Sequence, residues 1–190
     1  MTHSERYLDE TLKIVSLIKD GDIEDVVMGL KALRNRKGVL FILGLGGSAA
    51  NASHAVNDFR KLCAIEAYAP TDNIAELTAR INDAGWDTAF SAWLQFAKPH
   101  DALLVLSVGG GTDEVSTPIT NAIQYARSIG MQIFGVVGRD GGKTRIYGDP
   151  VIVIPPLFPE RVTPHTETIQ AIILHCLVSH PDLQRHPTKW

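Results

Sequence analysis

The chain is 190 residues long, with 18 basic and 21 acidic residues, a formal net charge of -3 and two cysteines. That length fits one domain with a sizeable core, and charge without a long run of either sign argues against a nucleic-acid or membrane-surface protein. No apolar segment approaches bilayer-spanning length and Met1 to Arg6 carry no signal-peptide pattern, so a soluble, cytoplasmic protein is expected.

From Ser4 to about Arg36, Tyr7, Leu8, Leu12, Val15 and Ile18, then Ile23, Val26, Val27, Leu30 and Leu33, recur at helical spacing with an interruption at Gly21. Two helices are predicted. Ile14 and Leu17 widen the apolar face of the first, which suits packing on another subunit as well as on its own domain. Beyond Gly38 the rhythm changes to short apolar runs at 39–43, 64–69, 102–107, 132–137 and 151–154, with helical stretches near 49–62, 87–97 and 113–129. This βαβ alternation predicts an α/β domain with a mostly parallel sheet covered on both faces, and ligands at the carboxyl ends of its strands. Residues 181–190, with Pro181 and Pro187, read as a loosely held tail. Cys63 and Cys176 lack metal-ligand spacing and read as small buried residues.

Two glycine-rich turns fall at strand-to-helix junctions. Gly44-Leu45-Gly46-Gly47-Ser48 follows the first apolar run, where unpaired helix amides and close backbone approach favour an anion. Ala49 in place of a third glycine keeps a dinucleotide site open, the absence of G-K-[ST] leaves a P-loop unsupported, and a plain tight turn is the alternative. Ser107-Val108-Gly109-Gly110-Gly111-Thr112 follows the third run and would lie on the same sheet edge. Together the two turns form a cradle for a phosphorylated ligand, or two unrelated turns.

His54 and Asp58 are four residues apart on the helix that the first turn opens. That spacing suits a shared metal ion, an acid–base pair or an ordinary surface pair. Glu167 and His175 share a later helix whose start is signalled by Thr163 as cap and Pro164 at the first position. They are about 12 Å apart in helix rise, a stretch for one metal. Gln170, His165, His180 and His186 read as capping or surface residues, and Asn82-Asp83 as a turn.

Five segments in order carry a resemblance: Gly44 to His54, Asn82 to Gly85, Ser107 to Thr112, Gly138 to Gly142, and Glu167 through His175. The series resembles the phosphoheptose isomerase branch of the sugar isomerase (SIS) domain family, over about 38–177, with the leading helices matching the family's own. The resemblance implies a single SIS domain, a flavodoxin-like three-layer α/β sandwich with a helical segment at 1–36, a core at 37–180 and a tail at 181–190. It implies a homotetramer with active sites at subunit interfaces, converting sedoheptulose 7-phosphate to a heptose 7-phosphate for bacterial surface polysaccharides.

Carried over by position, the resemblance implies zinc ligands at His54, Asp58, Glu167 and His175. It places substrate contacts at Gly46, Gly47, Ser48, Asp83, Ser107, Gly109 and Thr112, and an acid–base pair at Asp58 and His175 acting through an enediol. The chain departs from the family pattern at several of these places. Leu45 stands where the family has Asn, Val108 and Gly109 replace hydroxyl residues, Asp58 is one methylene shorter than the usual Glu, and Glu167 replaces a neutral Gln. The expectation is a metal-assisted aldose–ketose isomerase with an altered zinc set and no nucleic-acid or membrane partner. A non-catalytic scaffold binding the replication initiator DnaA, and a sugar-phosphate-sensing module, stand as alternatives.

Overall fold

The computed structural model describes residues 1–188. Five strands, β1 (Leu40–Leu43), β2 (Ala67–Tyr68), β3 (Ala102–Ser107), β4 (Gln132–Val137) and β5 (Val151–Val153), form one sheet in the order β2-β1-β3-β4-β5. Every pairing is parallel. This is the flavodoxin-like doubly wound order, whose switch point lies between the carboxyl ends of β1 and β3. The two glycine-rich turns leave the sheet at those two ends.

Strand alternation sorts the core into two halves. Leu40 and Ile42 of β1, Leu104 and Leu106 of β3, and Phe134 and Val136 of β4 pack with α2 (Asp20–Asn35), α3 (Gly47–Cys63) and α8 (Val162–Ser179). Leu43, Leu103, Val105 and Ile133 point the other way, into α5 (Ala89–Trp93) and α6 (Thr117–Ser128). Because successive strand side chains face opposite sides, continuous apolar runs such as Ala102–Ser107 become strands buried on both faces.

The leading segment forms two helices, α1 (His3–Val15) and α2. Thr2 caps α1 in a capping box with Glu5, which satisfies backbone donors that the first turn would leave unpaired. The break falls at 16–19 and not at Gly21, which lies inside the first turn of α2. Helices α4 (Ile74–Ala84) and α7 (Gly142–Tyr147) have no counterpart in the sequence-based expectation. The predicted helix at 87–97 is α5 flanked by turns of 3-10 helix.

Four further expectations are corrected. The 64–69 run pairs only at Ala67 and Tyr68, because Ala64 adopts a left-handed conformation to end α3 and the Ile65 amide bonds back to the Phe59 carbonyl. Helix α6 begins at Thr117, not 113. The Thr112 hydroxyl accepts the Val115 and Glu114 amides, which holds 112–116 as a loop. The tail is anchored. Arg34 donates to the carbonyls of Leu183 (2.6 Å) and Asp182 (2.9 Å), Leu183 is buried, and the Arg185 amide bonds to the Leu62 carbonyl. Lys189 and Trp190 lie outside the described residues. Cys63 is buried and its thiol is pushed up to about 12 by that burial, whereas Cys176 is exposed, contrary to expectation.

Candidate functional site

Helix α3 starts on Gly46, whose backbone at φ 59°, ψ -128° is open only to glycine. The turn thus brings α3 sharply off the end of β1. Ser48, the first side chain after it, is buried and donates to Oε1 of Gln170 on α8 at 2.9 Å. Gln170 is fully buried; the same oxygen accepts from Asn51 at 3.2 Å, and its amide donates to the Val136 carbonyl of β4 at 3.2 Å. Asn51 also donates to the Glu167 carbonyl. A side chain read as surface is therefore the polar tie between α3, α8 and the sheet.

Glu167 lies beside that tie. A side chain at residue 47 would collide with its carboxylate, so the acid rests against Gly47 at the start of α3. It places a negative group where helix amides and the helix dipole favour one. The first glycine turn has an anion from within the chain beside it.

One turn after another along α3 and α8, His54, Asp58 and His175 meet. The Nε2 atoms of His54 and His175 are 3.0 Å apart, and Oδ2 of Asp58 lies 3.2 Å from the first and 3.8 Å from the second. Both imidazoles are exposed while the Asp58 side chain is only 15 % exposed. Tetrahedral ligands at zinc bond lengths stand about 3.3 Å apart. The two imidazoles and the carboxylate thus fit a zinc ion in both donor type and spacing. They form a group whose ligand atoms all lie within 4.8 Å of one another, and Glu167 is not in it.

A cavity of about 890 Å³ opens at the carboxyl edge of the sheet. Its walls are Leu45 after β1, Ser107 to Thr112 with Val115 and Ser116 after β3, Arg139 and Asp140 after β4, and Pro159, Val162 and Thr163 leading into α8. The loops after β3 and β4 are stapled together: Thr144 donates through its amide and hydroxyl to the Gly110 carbonyl, and the Lys143 amide donates to that of Gly111. Gly110, at φ 71°, leaves no room for a side chain against Gly141. The Ser107 hydroxyl accepts the Gly110 amide at 3.0 Å and keeps its own proton for a ligand. Arg139 holds a left-handed φ of 51°, a conformation that costs a non-glycine residue roughly 1–2 kcal/mol.

The predicted site residues are thus distributed. Ser107, Gly109 and Thr112 line the cavity; Gly46, Gly47 and Ser48 do not, although Leu45 does. Asp83 sits exposed at the end of α4, accepting from Asn82 at 2.9 Å, and is not among the residues lining the cavity. Arg139 and Ser116 are lining residues to which the sequence assigned no role, and Thr163, also in the lining, had been assigned only a helix cap. The signal for Arg139 was a basic residue held between glycines after a buried strand.

The far side of α8 is structural. Glu10 of α1 is buried and makes a two-pronged ion pair with Arg161 (2.7 and 2.6 Å) and a 3.0 Å contact with Nε2 of His165. Hydrogen bonding from Arg161 leads the causes that hold its carboxyl down at about 2. His165, buried and stacked on Tyr7 at 4.5 Å, is a core residue and not a surface one. Helix α8 starts at Val162 after a 3-10 turn over Pro159–Arg161, so Thr163 is inside the helix and Arg161 holds the cap position. His180 does cap the end of α8, and His186 is exposed.

No family model matches the chain. A phosphoheptose isomerase of Chlorobium phaeobacteroides is 36% identical over 126 residues, covering 62% of this chain and 54% of that protein. One of Syntrophotalea carbinolica is 30% identical over 180 residues, covering 89% of this chain and 87% of its own length. Among solved structures, the phosphoheptose isomerase GmhA of Neisseria gonorrhoeae superposes with a TM-score of 0.79 at 24% identity, covering 93% of this chain and 97% of that one. A phosphoheptose isomerase of Francisella tularensis gives the same score at 20% identity, covering 94% and 97%.

Proposed function

The chain belongs to the phosphoheptose isomerase family of SIS-domain proteins, and from that premise we propose that it interconverts an aldose and a ketose phosphate. The proposed substrate is sedoheptulose 7-phosphate or a closely related ketose phosphate. The observation that carries this reading is the meeting of His54, Asp58 and His175 on two helices that start beside the cavity. Three converging ligand-type side chains favour it over the scaffold and sensing readings.

Aldose–ketose isomerisation moves a proton between neighbouring carbons and another between their oxygens. Asp58 and His175 are the proposed acid–base pair: one removes the proton alpha to the carbonyl while the other manages the oxygen's proton. Their 3.8 Å separation lets both serve one substrate edge. His54, in contact with both partners, holds them in place. Zinc held by the three side chains would supply Lewis-acid stabilisation of the developing oxyanion. Glu167 reaches that set only by leaving Gly47, and is the proposed fourth ligand.

Neither the histidines nor Asp58 lines the cavity, and about 18 Å of helix rise separates Thr163 from His175. The complete site is therefore proposed to form across protomers of a homotetramer, the triad of one subunit facing the cavity of another. Exposed Leu8 and Leu12 on α1 and Ile172 on α8 supply apolar surface for that packing. A cytoplasmic setting completes the proposal, consistent with two free thiols. Turnover of a panel of ketose phosphates, followed by proton NMR of the anomeric signals, tests the activity. Mixing H175A with a cavity variant tests the shared site: recovered turnover in mixed oligomers is expected, and its absence when both variants still assemble contradicts the shared site.

A further inference from the structure

Resting on the isomerase reading, we propose that Arg139 is the residue that selects a phosphorylated sugar, its guanidinium supplying the charge that a phosphate dianion needs in this cavity. The lining offers hydroxyls and backbone but little positive charge. Ser107 and Thr112 present neutral hydroxyls whose oxygens already accept loop amides. Nearby cations are committed elsewhere: Lys143 to Asp113 at 2.9 Å, Arg161 to Glu10 and Glu160 at 2.6 and 2.7 Å, and Arg145 to the Asp140 carbonyl. Among the described residues, Arg139 is the cation of the cavity wall and is in none of the ion pairs. The acid beside it, Asp140, accepts the Gly142 amide at 3.1 Å.

The backbone aims this side chain. The Gly138 amide bonds to the Ser107 carbonyl and the Gly141 amide closes the turn on Gly138, so residue 139 is fixed to the loop after β3. The arginine stem runs beside Gly109, its Cδ 3.9 Å from where a side chain there would begin. At a φ of 51° glycine is the unstrained choice, and the chain carries arginine. A bidentate guanidinium fits phosphate oxygens in a way that a hydroxyl or lysine does not.

The test compares wild type with R139G, which suits the left-handed backbone, and with R139K, which keeps charge without the fork. Binding of inorganic phosphate is measured by calorimetry, and kcat and KM are measured for sedoheptulose 7-phosphate and unphosphorylated sedoheptulose. R139G is expected to keep its fold by circular dichroism and to weaken phosphate binding by roughly 10- to 100-fold, as loss of a charged hydrogen-bond pair implies. KM for the phosphorylated sugar should rise similarly, with the unphosphorylated sugar unaffected and R139K intermediate. Phosphate binding by R139G within threefold of wild type, or equal losses on both sugars, overturns the assignment. Wild-type turnover insensitive to R139G refutes Arg139's role and leaves the isomerase reading standing. Arg139-dependent phosphate binding without turnover of any ketose phosphate refutes the isomerase reading and supports the assignment.

Discussion

Gln170 is the point at which the two halves of the site are joined, and its removal has a calculable cost. Its carboxamide oxygen is the acceptor for the Ser48 hydroxyl and one of two acceptors for Asn51, and its amide donates to β4. In Q170M the volume is nearly kept while Ser48 loses its acceptor in a fully buried setting, which costs about 1–3 kcal/mol. Q170A adds a cavity at about 24 cal/mol per Å³, so a residual void of roughly 50 Å³ brings the total to about 2–4 kcal/mol. Asn51 is spared in both variants because it retains the Glu167 carbonyl. Urea unfolding at one fixed protein concentration measures these values, concentration being held because assembly contributes to apparent stability. Adding S48A to Q170M removes the orphaned hydroxyl, so the double variant should lose less than the sum of the single losses. A Q170M variant within about 0.5 kcal/mol of wild type, or strict additivity with S48A, contradicts a structural role for the Ser48–Gln170 hydrogen bond.

Two other outcomes are expected. Glu10 has its carboxyl lowered from 4.5 to about 2, so its contribution is fully present above about pH 4.5 and is lost as pH falls through about 2. Thermal melts of wild type and E10Q across that window should converge as the pH drops; a constant gap between them contradicts the ion-pair account. Equilibrium dialysis against zinc should load wild type and leave H54A and H175A nearly empty, while E167A retains part of the affinity because Glu167 lies outside the three-residue group. Undiminished affinity in E167A contradicts the proposed fourth ligand, and a loss as complete as in H175A contradicts a set centred on the three residues.

The elements legible in the sequence were those whose burial is simple. Ala102–Ser107 and Gln132–Val137 match their expected bounds because each is a short, largely apolar run buried on both faces and followed by glycine-containing turns. Helix starts were less legible where a side chain competes for backbone amides, as Thr112 does ahead of α6. Gln170 and His165 were misread for a different reason. A polar residue on a helix looks solvent-facing until its partners are known, and Ser48 and Glu10 lie 122 and 155 positions away in sequence. For the site, the helical spacing of His54 and Asp58 was sufficient to place them together, but it carried no information on where α8 would deliver His175. Glu167, eight residues before His175 on the same helix, lies instead against the opening turn of α3, and Asp83, at the exposed end of α4, is not among the cavity-lining residues.

Proton transfer on a ketose phosphate is the proposed chemistry, and deuterium reports it directly. Incubation of the zinc-loaded protein with sedoheptulose 7-phosphate in D₂O, followed by NMR and mass spectrometry of the sugar phosphates, distinguishes the outcomes. The expected product is an aldoheptose 7-phosphate carrying one solvent-derived deuteron at the carbon beside its carbonyl, with formation abolished in H175A. Recovery of unlabelled substrate alone, across sedoheptulose 7-phosphate and a panel of other ketose phosphates, would contradict that chemistry.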